Sequence, residues 1–150
     1  MRNLIFLVGI SIVVGVGPVS AFGRDDAWQS GFAQGTCEST ITSGAGNQIL
    51  VSCDCGSLIP SSIYFDIGGK SPATDSIFMS FDGAEPHQFS LWDGSIPSDC
   101  RACANNFDAA LELMRKHSKV HVMLPTGEGA TFTLKGSSEA IGECEADFWK

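Results

Sequence analysis

Apolar and polar residues alternate in six short stretches of this chain. Gln48 to Asp54 places Ile49, Val51 and Cys53 on one face. Ser61 to Ile67 does the same with Ile63, Phe65 and Ile67, Ser76 to Phe81 with Ile77, Met79 and Phe81, and His87 to Trp92 with Phe89 and Leu91. Lys119 to Leu124 alternates Val120, Val122 and Leu124 with polar positions, and Ala130 to Leu134 carries Phe132 and Leu134. A two-residue period predicts strands with one buried face. Asp82-Gly83 and Asp93-Gly94 mark tight turns. One segment keeps a different period. Phe107, Ala110, Leu111 and Met114 fall at i, i+3, i+4 and i+7, the stripe of an amphipathic helix. Asn105 or Asn106 is the expected cap of that helix, and Glu112 and Lys116 pair at i,i+4. A final helical turn begins near Gly136, with Ser137 or Ser138 as cap and Ala140 and Ile141 inward.

Short strands at close spacing, joined by tight turns, favour an antiparallel arrangement over βαβ units. The expected fold is α+β: an antiparallel meander or small sandwich of about six strands, with one main helix packed on it and disulfides stabilising it. Residues 22–47 are rich in Gly, Ser, Gln and Thr and weakly periodic, so they read as a polar lead segment. Trp28 and Phe32 allow a short helix around Asp25 to Gln34, and the rest reads as loop tethered by Cys37. Residues 48–150 form the β-rich globular domain.

Residues 1–21 have the pattern of a signal peptide. Arg2 supplies the positive start, Leu4 to Val16 the apolar run, and Val19-Ser20-Ala21 the small-x-small cleavage site. The run is short for a membrane span, so stable membrane insertion after cleavage is not expected. The formal net charge is −8, and there is no basic patch interleaved with aromatics. Such a chain repels nucleic acid, and no nucleic-acid partner is expected.

All six cysteines lie beyond residue 21. An even number in an exported chain points to disulfides and to a periplasmic or secreted location. Six cysteines permit fifteen pairings in principle. The preferred set is Cys53–Cys144 and Cys100–Cys103, with Cys37–Cys55 by elimination. Two chemical alternatives compete with it. Cys100-Arg101-Ala102-Cys103 precedes the helix, where the dipole would lower a thiol pKa, as in a thiol-disulfide oxidoreductase. Only a hairpin and a short turn follow, which is too little chain for a thioredoxin-like fold. Cys53 and Cys55 with Cys100 and Cys103 would supply four thiolates for zinc, with imperfect spacing on the first side.

No other pattern names a catalyst. His87, His117 and His121 are scattered, and the hydrolase, zinc-protease and phosphate-loop signatures are missing. The expectation is therefore a non-enzymatic protein with no metal site and no cofactor. Asp54, Asp66 and Asp82 sit at strand ends, where turn chemistry accounts for them. Tyr64 and Trp92 lie opposite the apolar faces and are the candidate partner-contact residues. Phe148-Trp149 is either a docking tail or a small exposed patch.

Leu50-Val-Ser-Cys53, Phe81-Asp-Gly83, the helix sequence Phe107-Asp-Ala-Ala-Leu, and Phe132-Thr-Leu-Lys-Gly-Ser-Ser-Glu-Ala-Ile-Gly-Glu-Cys144 carry a resemblance. Over residues 48–144 the chain resembles small exported bacterial proteins of the invasion-associated locus B class and type VI secretion accessory proteins of the TagO kind. The resemblance implies a periplasmic, non-enzymatic, β-rich domain in envelope or secretion biology, and it brings no catalytic residues. A protein partner is expected, with inhibition of an exported enzyme as one form of the binding.

Overall fold

The computed structural model describes residues 25–150; the expected signal peptide at 1–21 lies outside them. The described residues form two antiparallel sheets and one main helix, an α+β fold. The first sheet contains β1 (Gln29–Ala33), β2 (Thr36–Thr42), β3 (Gln48–Asp54), β4 (Ser62–Asp66) and β7 (Ser95–Pro97) in the order β1-β2-β3-β4-β7. The second contains β5 (Ser76–Phe81), β6 (His87–Ser90), β8 (Lys119–Met123) and β9 (Gly129–Thr133) in the order β6-β5-β8-β9. Helix α1 spans Arg101–Lys116 and α2 spans Ser137–Ile141, and a 3₁₀ turn closes the chain at Asp147–Trp149.

Nine strands replace the expected six. Two of the extra three lie in the segment expected to be loop with a short helix around Asp25 to Gln34. There β1 and β2 form a hairpin, and β2 pairs with β3 along its length, Cys37 opposite Cys53 and Ile41 opposite Ile49. The sequence reading missed it because the inward row of β2, Cys37, Ser39 and Ile41, carries a buried serine, and Thr40 is buried on the opposite face, so the apolar alternation is broken. Residues 29–42 therefore belong to the sheet. The third extra strand, β7, is three residues long and pairs Ile96 with Ile63.

Cross-strand partners share a face, so register fixes which residues meet. Ile41, Ile49 and Phe65 lie in one row of the first sheet, and Val51, Ile63 and Ile96 in the next. Phe81, Val120 and Phe132 form the corresponding row of the second sheet, beside Met79, Val122 and Ala130. These side chains and the helix stripe Ala104, Phe107, Ala110, Leu111 and Met114 form one buried cluster.

Helix α1 begins earlier than expected. Its cap is Cys100, not Asn105 or Asn106, and the Cys100 sulfur accepts the Cys103 N–H at 3.1 Å. A Cys-x-x-Cys bridge spans one helical turn, so the disulfide organises the first turn and moves the start upstream. Asn106 instead donates its side-chain amide to the Ser90 carbonyl at 2.9 Å, tying the helix to β6. The start of α2 also differs. Its cap is Gly136 at φ +90°, with no side-chain bond. Ser137 and Ser138 donate their hydroxyls to the Met114 and Arg115 carbonyls at 2.7 and 2.9 Å. They satisfy acceptors that the end of α1 leaves open, and so lock the two helices together.

Candidate functional site

The six cysteines form three disulfides. The structure brings together Cys37 with Cys55, Cys53 with Cys144, and Cys100 with Cys103. The four thiols of the alternative zinc site do not converge, because Cys53 and Cys55 are bonded to other partners. Cys37–Cys55 and Cys53–Cys144 pull β2, the end of β3 and the C-terminal segment into one knot. Arg115 holds the last of these in place, donating to the Gly142 and Cys144 carbonyls at 2.9 and 2.7 Å. Its burial lowers the guanidinium pKa below its ordinary value.

Beyond that knot, residues Gly56–Pro60 form a braced loop. The Asp54 carboxylate accepts the N–H groups of Gly56, Ser57 and Leu58 at 2.9, 2.8 and 3.2 Å, and the Ser57 hydroxyl at 3.1 Å. The Gly56 and Ser57 backbone bonds are the main reason its pKa falls below the ordinary 3.8. Gly35 lies under the loop: a Cβ there would meet the Ser57 nitrogen at 2.7 Å, and φ is +82°. Held in this way, Leu58 adopts φ +62° and is 90% exposed. A large apolar side chain so exposed on a rigid, left-handed backbone position is not explained by folding. Ile59 beside it is 53% exposed.

The loop is tied to the C-terminus through Asp147. Its carboxylate accepts the Ser61 N–H and the Ser98 hydroxyl, and pairs with Lys150 at 2.8 Å. Burial alone would raise the Asp147 pKa, but Lys150 and the Ser61 and Ser98 donors outweigh it and the pKa is lowered. Phe148 and Trp149 follow, edge to face with centroids 4.9 Å apart. Trp149 donates its indole N–H to Asp108 at 2.9 Å, and Asp108 also accepts the Ala146 N–H. The tail is thus both docked and half-exposed. Leu58 and Ile59 were missed in the sequence because Gly56-Ser57-Leu58-Ile59-Pro60 has no period. The cue was two apolar residues inside a turn-forming stretch.

Tyr64 and Trp92 occupy one row. Tyr64 opposes Ser95 in β4–β7, and Ser95 exchanges backbone hydrogen bonds with Trp92 across the Asp93-Gly94 turn. Asp93 and Gly94 both have positive φ, +50° and +75°, as a two-residue hairpin turn requires. Both aromatics are exposed, Trp92 the more so. Two strand spacings put them about 10 Å apart. Behind Trp92 a cleft of about 200 Å³ runs to Cys103, lined also by Leu91, Pro97, Ala102 and Asn106.

The histidines do not assemble a base. His117 lies 3.0 Å from Asp82, and His121 2.9 Å from Thr131. Asp82 does more than turn the chain. It also accepts the Ser118 and Lys119 N–H groups at 3.2 and 2.9 Å, fastening the β5 turn to the junction of α1 and β8. Among the described residues no three His, Cys, Asp or Glu side chains form a metal-holding group, and no helix is long and apolar enough to cross a membrane.

No curated protein and no solved structure matches the chain. A family model does, over residues 26–141, from the first hairpin through α2. The match covers most of the chain, and the protein belongs to the YfjT family.

Proposed function

We propose that this protein is an exported, non-enzymatic binding or accessory domain of the bacterial envelope, whose contact with a protein partner centres on the Gly56–Pro60 loop. The observation that carries this reading is Leu58, 90% exposed and held in left-handed backbone by the Asp54 brace. An exposed apolar anchor costs little ordering entropy on binding when its backbone is already fixed. Phe148 and Trp149, which follow the Asp147 that accepts the Ser61 N–H, add exposed aromatic surface, and Tyr64 with Trp92 offer a second contact face. Three disulfides favour an oxidising location, periplasmic or extracellular. Service in an envelope or secretion process is what the resemblance of residues 48–144 to the locus B and TagO classes implies, and inhibition of an exported enzyme is one form it would take.

The test places a photo-crosslinking amino acid at Leu58 of the full-length protein in the cells that make it, with the same probe at exposed Thr131 as control. The expected result is a discrete protein adduct from position 58, recovered from the periplasmic or secreted fraction, absent from position 131 and lost in Ile59→Asp. Equal labelling from both positions, no adduct, or recovery of the protein in the cytoplasm would overturn the reading.

A further inference from the structure

We propose that Cys100–Cys103 is an exchange-competent disulfide, and that the cleft beside it receives an extended, dithiol-bearing polypeptide segment. The three bridges are not equivalent. Cys53–Cys144 joins positions 91 residues apart, Cys53 is buried, and Cys37–Cys55 joins β2 to the residue just past β3. Cys100–Cys103 closes a separation of three residues inside one helical turn. Loop-closure entropy grows with the length closed, so this bridge contributes least to restraining the unfolded chain.

Its placement suits exchange. Cys100 is exposed at the surface, so an attacking thiolate can reach it, and Cys103 is half-buried behind it. Cys100 is also the N-cap of a 16-residue helix whose first turn carries no acidic side chain. Its sulfur already accepts the Cys103 N–H. A thiolate formed there gains that hydrogen bond and the positive end of the helix dipole, which makes Cys100 a good leaving group. The cleft is the second, independent feature. Trp92, 78% exposed, forms one wall, and Leu91 and Pro97 supply apolar surface leading to Cys103. An unfolded or extended chain offering apolar side chains next to a cysteine fits this channel, which ends at Cys103, the disulfide partner of Cys100.

The chemistry balances with the peptide dithiol as reductant. One peptide thiolate attacks the Cys100 sulfur, a peptide–Cys100 bond forms, and Cys103 leaves as thiolate. The second peptide thiolate attacks the peptide sulfur of that mixed disulfide and expels Cys100. Two electrons pass to the protein, the peptide becomes a disulfide, and the two protons it loses go to Cys100 and Cys103 or to solvent. The fold is antiparallel around this site, unlike thioredoxin, and each peptide oxidised consumes one Cys100–Cys103 bridge, a stoichiometric exchange that stands beside the non-enzymatic binding role.

The experiment uses the full oxidised chain. It is equilibrated in glutathione buffers of graded potential, its thiols are trapped and mapped by mass, and its circular dichroism is followed. A synthetic ten-residue dithiol peptide with apolar flanks is then mixed with wild type, Trp92→Ala and the Cys100→Ser/Cys103→Ser double variant. The expected result is that Cys100 and Cys103 open before the other bridges with the fold intact. The peptide is oxidised faster by wild type than by oxidised glutathione, about tenfold more slowly by Trp92→Ala, and not by the double variant. Opening only together with the other two bridges, or oxidation no faster than by glutathione, overturns the proposal. An unchanged rate in Trp92→Ala overturns the role of the cleft. The double variant keeps Leu58, so its crosslinking at position 58 separates this inference from the docking surface.

Discussion

At the scale of single residues, the aspartates carry more of the architecture than their turn positions suggest. Asp82 is the clearest. Its carboxylate faces His117 and the N–H groups of Ser118 and Lys119. The His117 hydrogen bond first, and the backbone donors with it, hold its pKa below the ordinary 3.8. The folded state therefore keeps the charge to a lower pH than the unfolded chain does. That stabilisation is complete above the ordinary carboxylate value and is lost as pH falls through the depressed one. Asp54 and Asp147 act in the same direction. Urea midpoints of wild type and Asp82→Asn between about pH 2 and pH 6 check this. The variant should be the less stable near the upper end, and the gap should close in acid. A gap that stays constant with pH would mean that Asp82 acts through shape and not through charge.

At the scale of elements, helix α1 is the piece on which the others converge. Its stripe is fully buried, its end is capped by the α2 serines, and its Arg115 and Asp108 hold the C-terminal segment. Phe107→Ala removes a buried ring from the middle of that stripe. It should cost about 3 to 5 kcal/mol, because the transfer energy is lost and a cavity remains. Chemical denaturation with unchanged slope would establish the loss as one of stability. The stripe was legible in the sequence because four large or small apolar residues fall on a helical period. The true start was not, since the acceptor that caps it is a sulfur whose role depends on the disulfide. The first hairpin was likewise hidden. Its Phe32 is exposed, and the buried Ser39 stands between Cys37 and Ile41 and donates its hydroxyl to the Ala140 carbonyl of α2 at 2.6 Å.

At the scale of the whole molecule, Cys53–Cys144 ties the first sheet to the end of the chain. Cys53→Ala/Cys144→Ala should lower stability by about 4 to 5 kcal/mol on the chain-entropy account, given the 91-residue separation. Cys100→Ser/Cys103→Ser should change it far less. Thermal or urea unfolding of the two double variants side by side measures the difference. Equal losses would mean that native-state strain and packing, and not loop length, set the worth of each bridge.

The alternating strands β3 to β6, β8 and β9, the helix stripe and the α+β class are legible in the residue order, because local period encodes which face of an element avoids water. That order left fifteen pairings of the cysteines open; the structure joins Cys37 with Cys55, Cys53 with Cys144 and Cys100 with Cys103. Long-range packing is what extends the first sheet through residues 29–42, sets Tyr64 and Trp92 in one row, and makes Leu58 stand out from a loop braced by Asp54. Burial of a serine, exposure of a leucine and convergence of a tryptophan on a disulfide depend on partners far away in the chain. No local pattern records those partners, and the candidate surfaces of this protein are built from them.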